Sequence, residues 1–462
     1  VLFGAGFAGL YNTHFRMDRW TLQFFVRTDE EPTFEKLPPP SDDGGSYLFD
    51  LDGRLYQFSP HSDRTARWWN TEAHAWTVDE TFGVGPTASG EGQIRVGGKR
   101  LQFKGGQVWY DNVQILCGPD DGYYHDFYYA AGTLVFYQNN AQGDPPWSRL
   151  HAVPWSPGHG GVDLSNAISL DLRYPGESSF SAGQLGDVIV HSSNLGGVYA
   201  FDGTNWSVLR PSQEGVSHQL YSMLNWYDRM LIGHYPTGNL LEYDGNEIRH
   251  RKGWPPVMPG VSDQVREAQT TCLFGGDLYV GVWPWAELWR YDDFAQEWNF
   301  VRRMFDHPEV TDRTDHPWED VILEYNEKHG EELVWNEWGH RITGMAPMGD
   351  ALYLSTSAKG CPQRDMRLEF LHDDAVWDEY RTIYRMRKPG CVAAAIQWRE
   401  IPTAIHCVVE DGHLSIEQDG RRLATASIPP DVYELLDSDR IEWGQGMFGP
   451  LRGSIASSQV CQ

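Results

Sequence analysis

Residues 276–304 read GDLYVGVWPWAELWRYDDFAQEWNFVRRM, and the same plan occurs twice before them. The earliest copy runs Gly186-Asp187-Val188-Ile189, then Val198-Tyr199-Ala200-Phe201-Asp202-Gly203, then Trp206. The second runs Asp228-Arg229-Met230-Leu231, then Leu240-Leu241-Glu242-Tyr243-Asp244-Gly245, then Ile248. In the third the parts are Gly276-Asp277-Leu278-Tyr279, Leu288-Trp289-Arg290-Tyr291-Asp292-Asp293 and Trp298. Each copy reads as turn, short apolar strand, loop, alternating strand, tight turn and strand. The spacing from turn residue to second Asp is constant: 186 to 202, 228 to 244, 276 to 292. Such a unit is a four-stranded antiparallel blade, and its repetition predicts an all-β chain folded as a β-propeller.

The third copy resembles a kelch repeat. Leu288 to Met304 carries a Tyr-Asp turn followed by a Trp on the last strand, and Gly275-Gly276-Asp277-Leu278-Tyr279-Val280 resembles the second kelch strand. The Gly-Gly pair that usually follows that strand is matched only by Gly196-Gly197; the other copies carry Pro236-Thr237-Gly238 and Pro284-Trp285-Ala286. The resemblance implies a kelch-like propeller and covers about a quarter of the chain.

Working outward, the same turn recurs before Leu55 (Gly53), Leu101 (Gly98), Leu134 (Gly132) and Leu352 (Gly349), which makes seven turns in all. Most of their spacings fall near the roughly 40–50 residues of propeller repeats. Residues 1–462 are therefore read as one propeller domain of seven blades. An eighth is the alternative, because Asp411 to Arg421 has Asp-Gly turns at both ends of a strand. Ring closure is assigned to the strand-like stretch from Trp20 to Arg27 together with the strands of 390–430. Residues 305–338 form an insertion, with a helix over Pro317 to His329 started by Asp315 and presenting Val321, Ile322 and Tyr325 on one face. Residues 360–380 form a second, charged insertion without a clear strand, and Glu30 to Gly45 reads as a Pro- and acid-rich loop.

Composition supports this reading and excludes others. The 462 residues include 20 Trp and 48 Gly, as many short strands and tight turns require. A formal charge of −27 rejects a broad nucleic-acid surface, which needs a basic field. It also fits a secreted or periplasmic setting. No run nears the roughly 20 apolar residues of a membrane helix. The six Cys show no metal spacing; Cys361 with Cys391 is a candidate disulfide, with free thiols the alternative. No cofactor is required. The acids Asp42-Asp43, Asp120-Asp121, Asp312, Asp315 and Asp373-Asp374 leave a structural Ca2+ as an option, without EF-hand spacing.

A propeller gathers the starts of its innermost strands and the loops between second and third strands on one face. The innermost strands are predicted to start near His125, Gln184, His218, Arg266 and His340. The companion loops carry Ser192-Ser193-Asn194, His234-Tyr235-Pro236, Trp283-Pro284-Trp285 and Ser355 to Lys359. Catalysis is assigned to His125, His218, Tyr235, Arg266 and His340. Substrate contacts are assigned to Asn194, Gln219, Trp283, Trp285, Arg341 and Lys359, and no residue to a metal. Aromatic faces stack on sugar rings, Arg and Lys pair with carboxylate or sulfate, and His or Tyr moves protons. The combination points to an acidic glycan, uronic or sulfated. Some uronate-cleaving polysaccharide lyases are similar in architecture and residue types. That similarity implies charge neutralisation by Arg, with His or Tyr as the acid and base. Hydrolysis would need two carboxylates, for which Glu267 and Glu287 are the candidates. A non-catalytic propeller binding glycan or protein is the other class. Each residue also has a plainer role: a His at a strand start can join blades, Trp283 and Trp285 can pack between them, and Arg266 can sit in an ion pair. Trp206 and Trp298 are assigned to packing against the next blade.

Overall fold

The computed structural model describes residues 3–7, 10–12, 21–28, 30–59, 64–87, 90–216, 218–397, 401–429 and 446–448, with backbone alone for 3–7 and 10–12. Seven antiparallel meanders follow one another along the chain, over residues 47–78, 92–116, 123–171, 179–210, 219–251, 267–303 and 341–387. They are blades 1 to 7. All seven turns read from the sequence join the first and second strands of a blade. The innermost strands lie side by side from blade 3 to blade 7, and that of blade 7 lies beside that of blade 1. Blades 1 and 2 are joined by Arg95 on Asp52 at 2.6 Å. Blades 2 and 3 share an apolar core in which Phe103 and Phe127 stack at 5.5 Å. The chain is a β-propeller.

The ring closes differently from the sequence reading. Blade 7 has three strands of its own, and its fourth and outermost is Thr33–Leu37, paired from Ile383↔Leu37 to Arg387↔Thr33. The Pro- and acid-rich composition of residues 30–45 predicts loop here, and this pairing overturns that expectation. Thr21–Val26 makes a separate three-stranded sheet with Phe3–Phe7 and Cys391–Ala395. Ile405–Glu410, His413–Gln418 and Arg421–Ser427 make another. Neither is an eighth blade, and the 390–430 strands do not close the ring. The physical reason lies in burial. TLQFFV is buried at all six positions, so it needs cover on both faces, whereas TFEKL is exposed or half-buried except at Leu37, as an outermost strand is. Trp20 lies outside the described residues.

The two extra sheets pack together through Leu22, Phe24, Val26, Val392, Leu414 and Ile416. The first of them, with Thr21–Val26, lies over the ends of innermost strands. Thr21 Oγ1 donates to Asp50 Oδ2 at 2.7 Å, and Gln23 Nε2 to the Leu273 carbonyl at 2.5 Å. Asp277 is the electrostatic anchor there. Its carboxylate takes Arg27 at 2.5 Å and Lys388 at 2.8 Å, with Arg290 at 4.0 Å, and it is buried. Leu10–Asn12 adds a strand to the free edge of the innermost strand of blade 5.

The first insertion carries a helix over Glu319–His329, two residues shorter than predicted. Trp318 occupies the N-cap position, and Asp315 makes no cap; instead Glu319 reaches back to the Asp315 and His316 amides at 3.1 Å. Only Ile322 of the proposed apolar face is buried, with Val321 exposed. The second insertion holds a helix that the sequence reading missed, Asp374–Tyr380, capped by Asp373 on the Ala375 amide at 2.8 Å. Its signal was the cap followed by Val376, Trp377 and Tyr380 on one helical face. Cys361 and Cys391 are both buried free thiols, so they are not bonded to each other.

The repeat Asp residues occupy equivalent turns. Asp202 Oδ1 accepts from the Thr204 and Asn205 amides, Asp244 Oδ1 from Asn246 and Glu247, and Asp292 Oδ1 from Phe294 and Ala295, all at 2.7–3.0 Å. Trp206 Nε1 donates to the Ile168 carbonyl of blade 3, and Trp298 packs on Trp254 in the connection between blades 5 and 6, so each packs toward the preceding blade and not the next one as expected.

The Glu247 and Asn246 amides hold the Asp244 carboxyl below its ordinary range. A carboxylate depressed by folding stabilises fully above its unfolded pKa and loses that contribution as pH falls through its folded pKa. Asp244→Ala should therefore lower the melting temperature at neutral pH, and its gap from wild type should close in acid, as read by a pH series of thermal melts. Asp277→Ala leaves Arg27 and Lys388 without their shared partner. We expect a loss of about 3–5 kcal/mol in urea unfolding, the scale of a broken buried pair.

Candidate binding site at the ring mouth

The mouth is shaped by a bulge repeated around the ring. In blades 4 to 7 the pairing of first and second strands shifts at Ser179/Ser181, Leu220/Ser222, Ala268/Thr270 and Ile342/Gly344, leaving Phe180, Tyr221, Gln269 and Thr343 as the extra residues. Blade 3 has a similar shift between His125 and Tyr128. A bulge twists the strand and re-aims a side chain. Just past it a small residue sits on the second strand: Ser192, Gly233, Gly281 or Ser355. At Gly233 a Cβ would stand 1.9 Å from the Ala268 carbonyl of the next blade, so only glycine permits that approach.

Three of the predicted catalytic positions do precede or open the innermost strands. His218 and Arg266 immediately precede Gln219–Trp226 and Glu267–Phe274, and His340 precedes Arg341–Met348. Gln184 does not belong with them. It is the penultimate residue of its strand, Ser179–Leu185, at the opposite end.

Arg266 and His340 join blades and do not face the solvent. The Arg266 amide donates to the Pro236 carbonyl and that of His340 to the Pro284 carbonyl, both at 2.8 Å. The Arg266 side chain is 1% exposed and pairs with fully buried Glu287 at 2.9 Å. Glu287 also accepts from Trp289 Nε1 at 2.7 Å. His340 stacks on Phe305 with ring centroids 3.8 Å apart. Burial, and then the Arg303 charge, push its pKa well below the ordinary value, so it is neutral. Trp283 and Trp285 are also buried, Trp285 beneath Arg303 at 5.0 Å, so neither forms a rim. The plainer role holds for these four side chains.

The two other His sites are separate. His125 Nδ1 bonds Asp126 Oδ2 at 2.8 Å, and its ring lies between those of Tyr123 and Tyr137. His218 Nδ1 lies 3.2 Å from His234 Nε2, and His234 Nδ1 bonds Thr237 Oγ1 at 2.9 Å. Burial, with Arg210 adding to it, lowers the His218 pKa and brings that of His234 to about 3. Asn194 Oδ1 accepts the Ser178 amide at 3.0 Å and ties two loops of blade 4 together.

What the structure gathers at the mouth is a charged and phenolic cluster. Glu267 Oε1 stands 3.6 Å from Arg341 Nη2, both side chains almost wholly buried. Burial raises the Glu267 pKa, opposed by Arg341 and Lys359. Lys359 is exposed at the end of the neighbouring loop, and desolvation and then Arg341 lower its pKa. Tyr221 lies against Glu267 and donates to Gln219 Oε1 at 2.5 Å; burial, then Glu267, push its pKa well up. Arg341 stands over Trp283 at 5.8 Å, and Trp283 is 6.4 Å from half-buried Tyr235. Gln219, Tyr235, Arg341 and Lys359 are sequence-assigned positions that the fold brings to this cluster, as it does Glu267, named there for hydrolysis, while buried Trp283 packs beneath Arg341. Tyr221 and Gln269 were missed, because a bulge position carries no signal in the alternation of residues. Among the described residues no three His, Cys, Asp or Glu side chains form a group that could hold a metal.

No protein-family model matches the sequence, and no curated protein matches it. In fold the chain is similar to YCF48 bound to a D1 peptide, with 9% identity over 79% of this chain and 99% of that one and a TM-score of 0.38. It is also similar to BamB from Moraxella catarrhalis, with 10% identity over 79% and 96% and a TM-score of 0.31. For AztD from Citrobacter koseri the identity is 12% over 78% and 97%, with a TM-score of 0.30. These likenesses carry no functional argument.

Arg266→Ala tests the structural assignment. It strands Glu287 in the core, and we expect urea unfolding to show a loss of about 3–5 kcal/mol, whatever ligand is present.

Proposed function

We propose that this chain is a non-catalytic recognition propeller of kelch-like type whose mouth binds an acidic glycan. The observation that supports it is the grouping of Arg341 and Lys359, from blade 7, around the single carboxylate of Glu267 in a protein of formal charge −27. Two cations against one anion leave a local positive excess, and guanidinium and ammonium pair well with a carboxylate. Half-buried Tyr235 offers a ring edge to a sugar. The acidity of the remaining surface suits a secreted or periplasmic protein.

Binding is favoured over turnover for two reasons. Hydrolysis needs two free carboxylates, and Glu287 is consumed by Arg266. A lyase needs a free base, whereas His340 is sealed from solvent, His125 Nδ1 is taken by Asp126 and His218 Nδ1 lies against His234 Nε2.

Titration calorimetry with hexuronate oligosaccharides should show binding. Arg341→Ala and Lys359→Ala should each weaken it by about tenfold or more, the value of a charge-assisted bond. Neither unsaturated-uronate absorbance nor new reducing ends should develop. Absorbance would establish a lyase, reducing ends alone a hydrolase, and undiminished binding by both variants would overturn the site.

A further inference from the structure

We propose a second anion site, between blades 4 and 5, where Arg210, His218, His250 and Lys252 bind a phosphate dianion, free or as a monoester. It goes beyond the glycan reading and shares no residue with the Glu267–Arg341 cluster. Three histidine rings run across blade 5. His218 and His234 stack with centroids 5.4 Å apart, and His250 meets His234 edge-on at 5.8 Å. His234 is held on both nitrogens, by His218 Nδ1 at 3.2 Å and Thr237 Oγ1 at 2.9 Å. Blade 4 brings a guanidinium. Arg210 ends its outermost strand and pairs with Val198. Two residues before Val198, Gly196 packs on the histidines: a Cβ there would stand 2.7 Å from His218 Cβ. The Arg210 charge acts on all three rings, and that of Lys252 on His250.

The chain has 64 acidic and 37 basic residues, so a cation without an acid is the exception. Neighbouring cations follow the rule: Arg249 pairs with Asp244 at 3.2 Å and Arg251 with Glu242 at 3.4 Å. Among the described residues no carboxylate pairs with Arg210, Lys252 or any of the three rings. The other polar groups facing the rings, the Thr237 hydroxyl and the Tyr235 carbonyl, carry no charge. Arg210 and His218 are half-buried and His250 and Lys252 exposed, so an anion reaches them from solvent. Two fixed positive charges match one dianion, and guanidinium, ammonium and imidazole N–H groups all donate to its acceptor-only oxygens. A carboxylate brings half that charge. Burial, and then the Arg210 charge, lower the pKa of His218 and His250. An anion that offsets Arg210 reverses the second effect, so the rings take up protons from solvent as it binds.

Titration calorimetry on the full chain tests this with inorganic sulfate, which keeps two charges across the histidine range, where a phosphate monoester protonates. Sulfate should bind severalfold more tightly at about pH 6 than at about pH 8, with net proton uptake across buffers of different ionisation enthalpy. Acetate should bind at least about tenfold more weakly than sulfate. Arg210→Gln should weaken sulfate binding by about tenfold or more. Lys252→Gln, at an exposed position, should weaken it severalfold and decides the matter if the first variant fails to fold. Inorganic phosphate and methyl phosphate should displace sulfate, and the tighter of the two names the source of the dianion. No sulfate binding overturns the site. So does binding that neither variant weakens, because the anion would then sit elsewhere. Binding independent of pH overturns the part given to the histidines, and failure of both phosphates to displace sulfate overturns the ligand class. Absence of hexuronate binding overturns the mouth reading and leaves this site standing.

Discussion

The pairing of Thr33–Leu37 with Ile383–Arg387 is the contact on which the ring depends. A chain of open blades ends in an unsatisfied sheet edge and an uncovered face, which invite association. Here five residues from near the start of the chain fill the outermost place in the last blade. Charge reinforces the register: Glu35 lies 4.0 Å from Arg385 and 3.5 Å from Arg387, and Asp350 holds Arg385 at 2.6 Å. The innermost strands of blades 7 and 1 meet only because this closure brings them round.

Once closed, the ring is held between blades by two kinds of contact. Small residues at the bulges let backbones approach, as at Gly233 and Ala268. Buried ions then fix the alignment. Arg266 and Glu287 neutralise each other within blade 6, while Asp277 gathers cations from the N-terminal segment and from Lys388. Taking charges from water is costly unless geometry and hydrogen bonds compensate. Arg266 meets that condition through the Pro256 carbonyl at 2.9 Å, and Glu287 through Trp289. Glu267 meets it in part, through the Tyr221 hydroxyl, and stands 3.6 Å from Arg341.

The blades were legible because a period-2 strand with a Gly or Asp turn is a local pattern. All seven first turns follow from it, as do the Asp202, Asp244 and Asp292 turns, whose carboxylates bond amides two and three residues on. The site was half legible. Arg341, Lys359, Gln219 and Tyr235 fell at the mouth because strand starts and loop ends are set by the same local pattern. Arg266 and His340 shared those positions, yet their side chains turned inward, Arg266 onto Glu287 of its own blade and His340 onto Phe305 at the end of the preceding one.

The sequence by itself determined the all-β repeat, the turns and the positions at each strand's start, since these depend on residues within a few places of one another. Tertiary structure alone decided which strand closed the ring, which side chains the bulges re-aimed and which charges found partners. Those outcomes depend on neighbours tens to hundreds of residues away, such as Leu37 beside Ile383 and Glu267 beside Arg341, and on the burial that only the assembled ring creates.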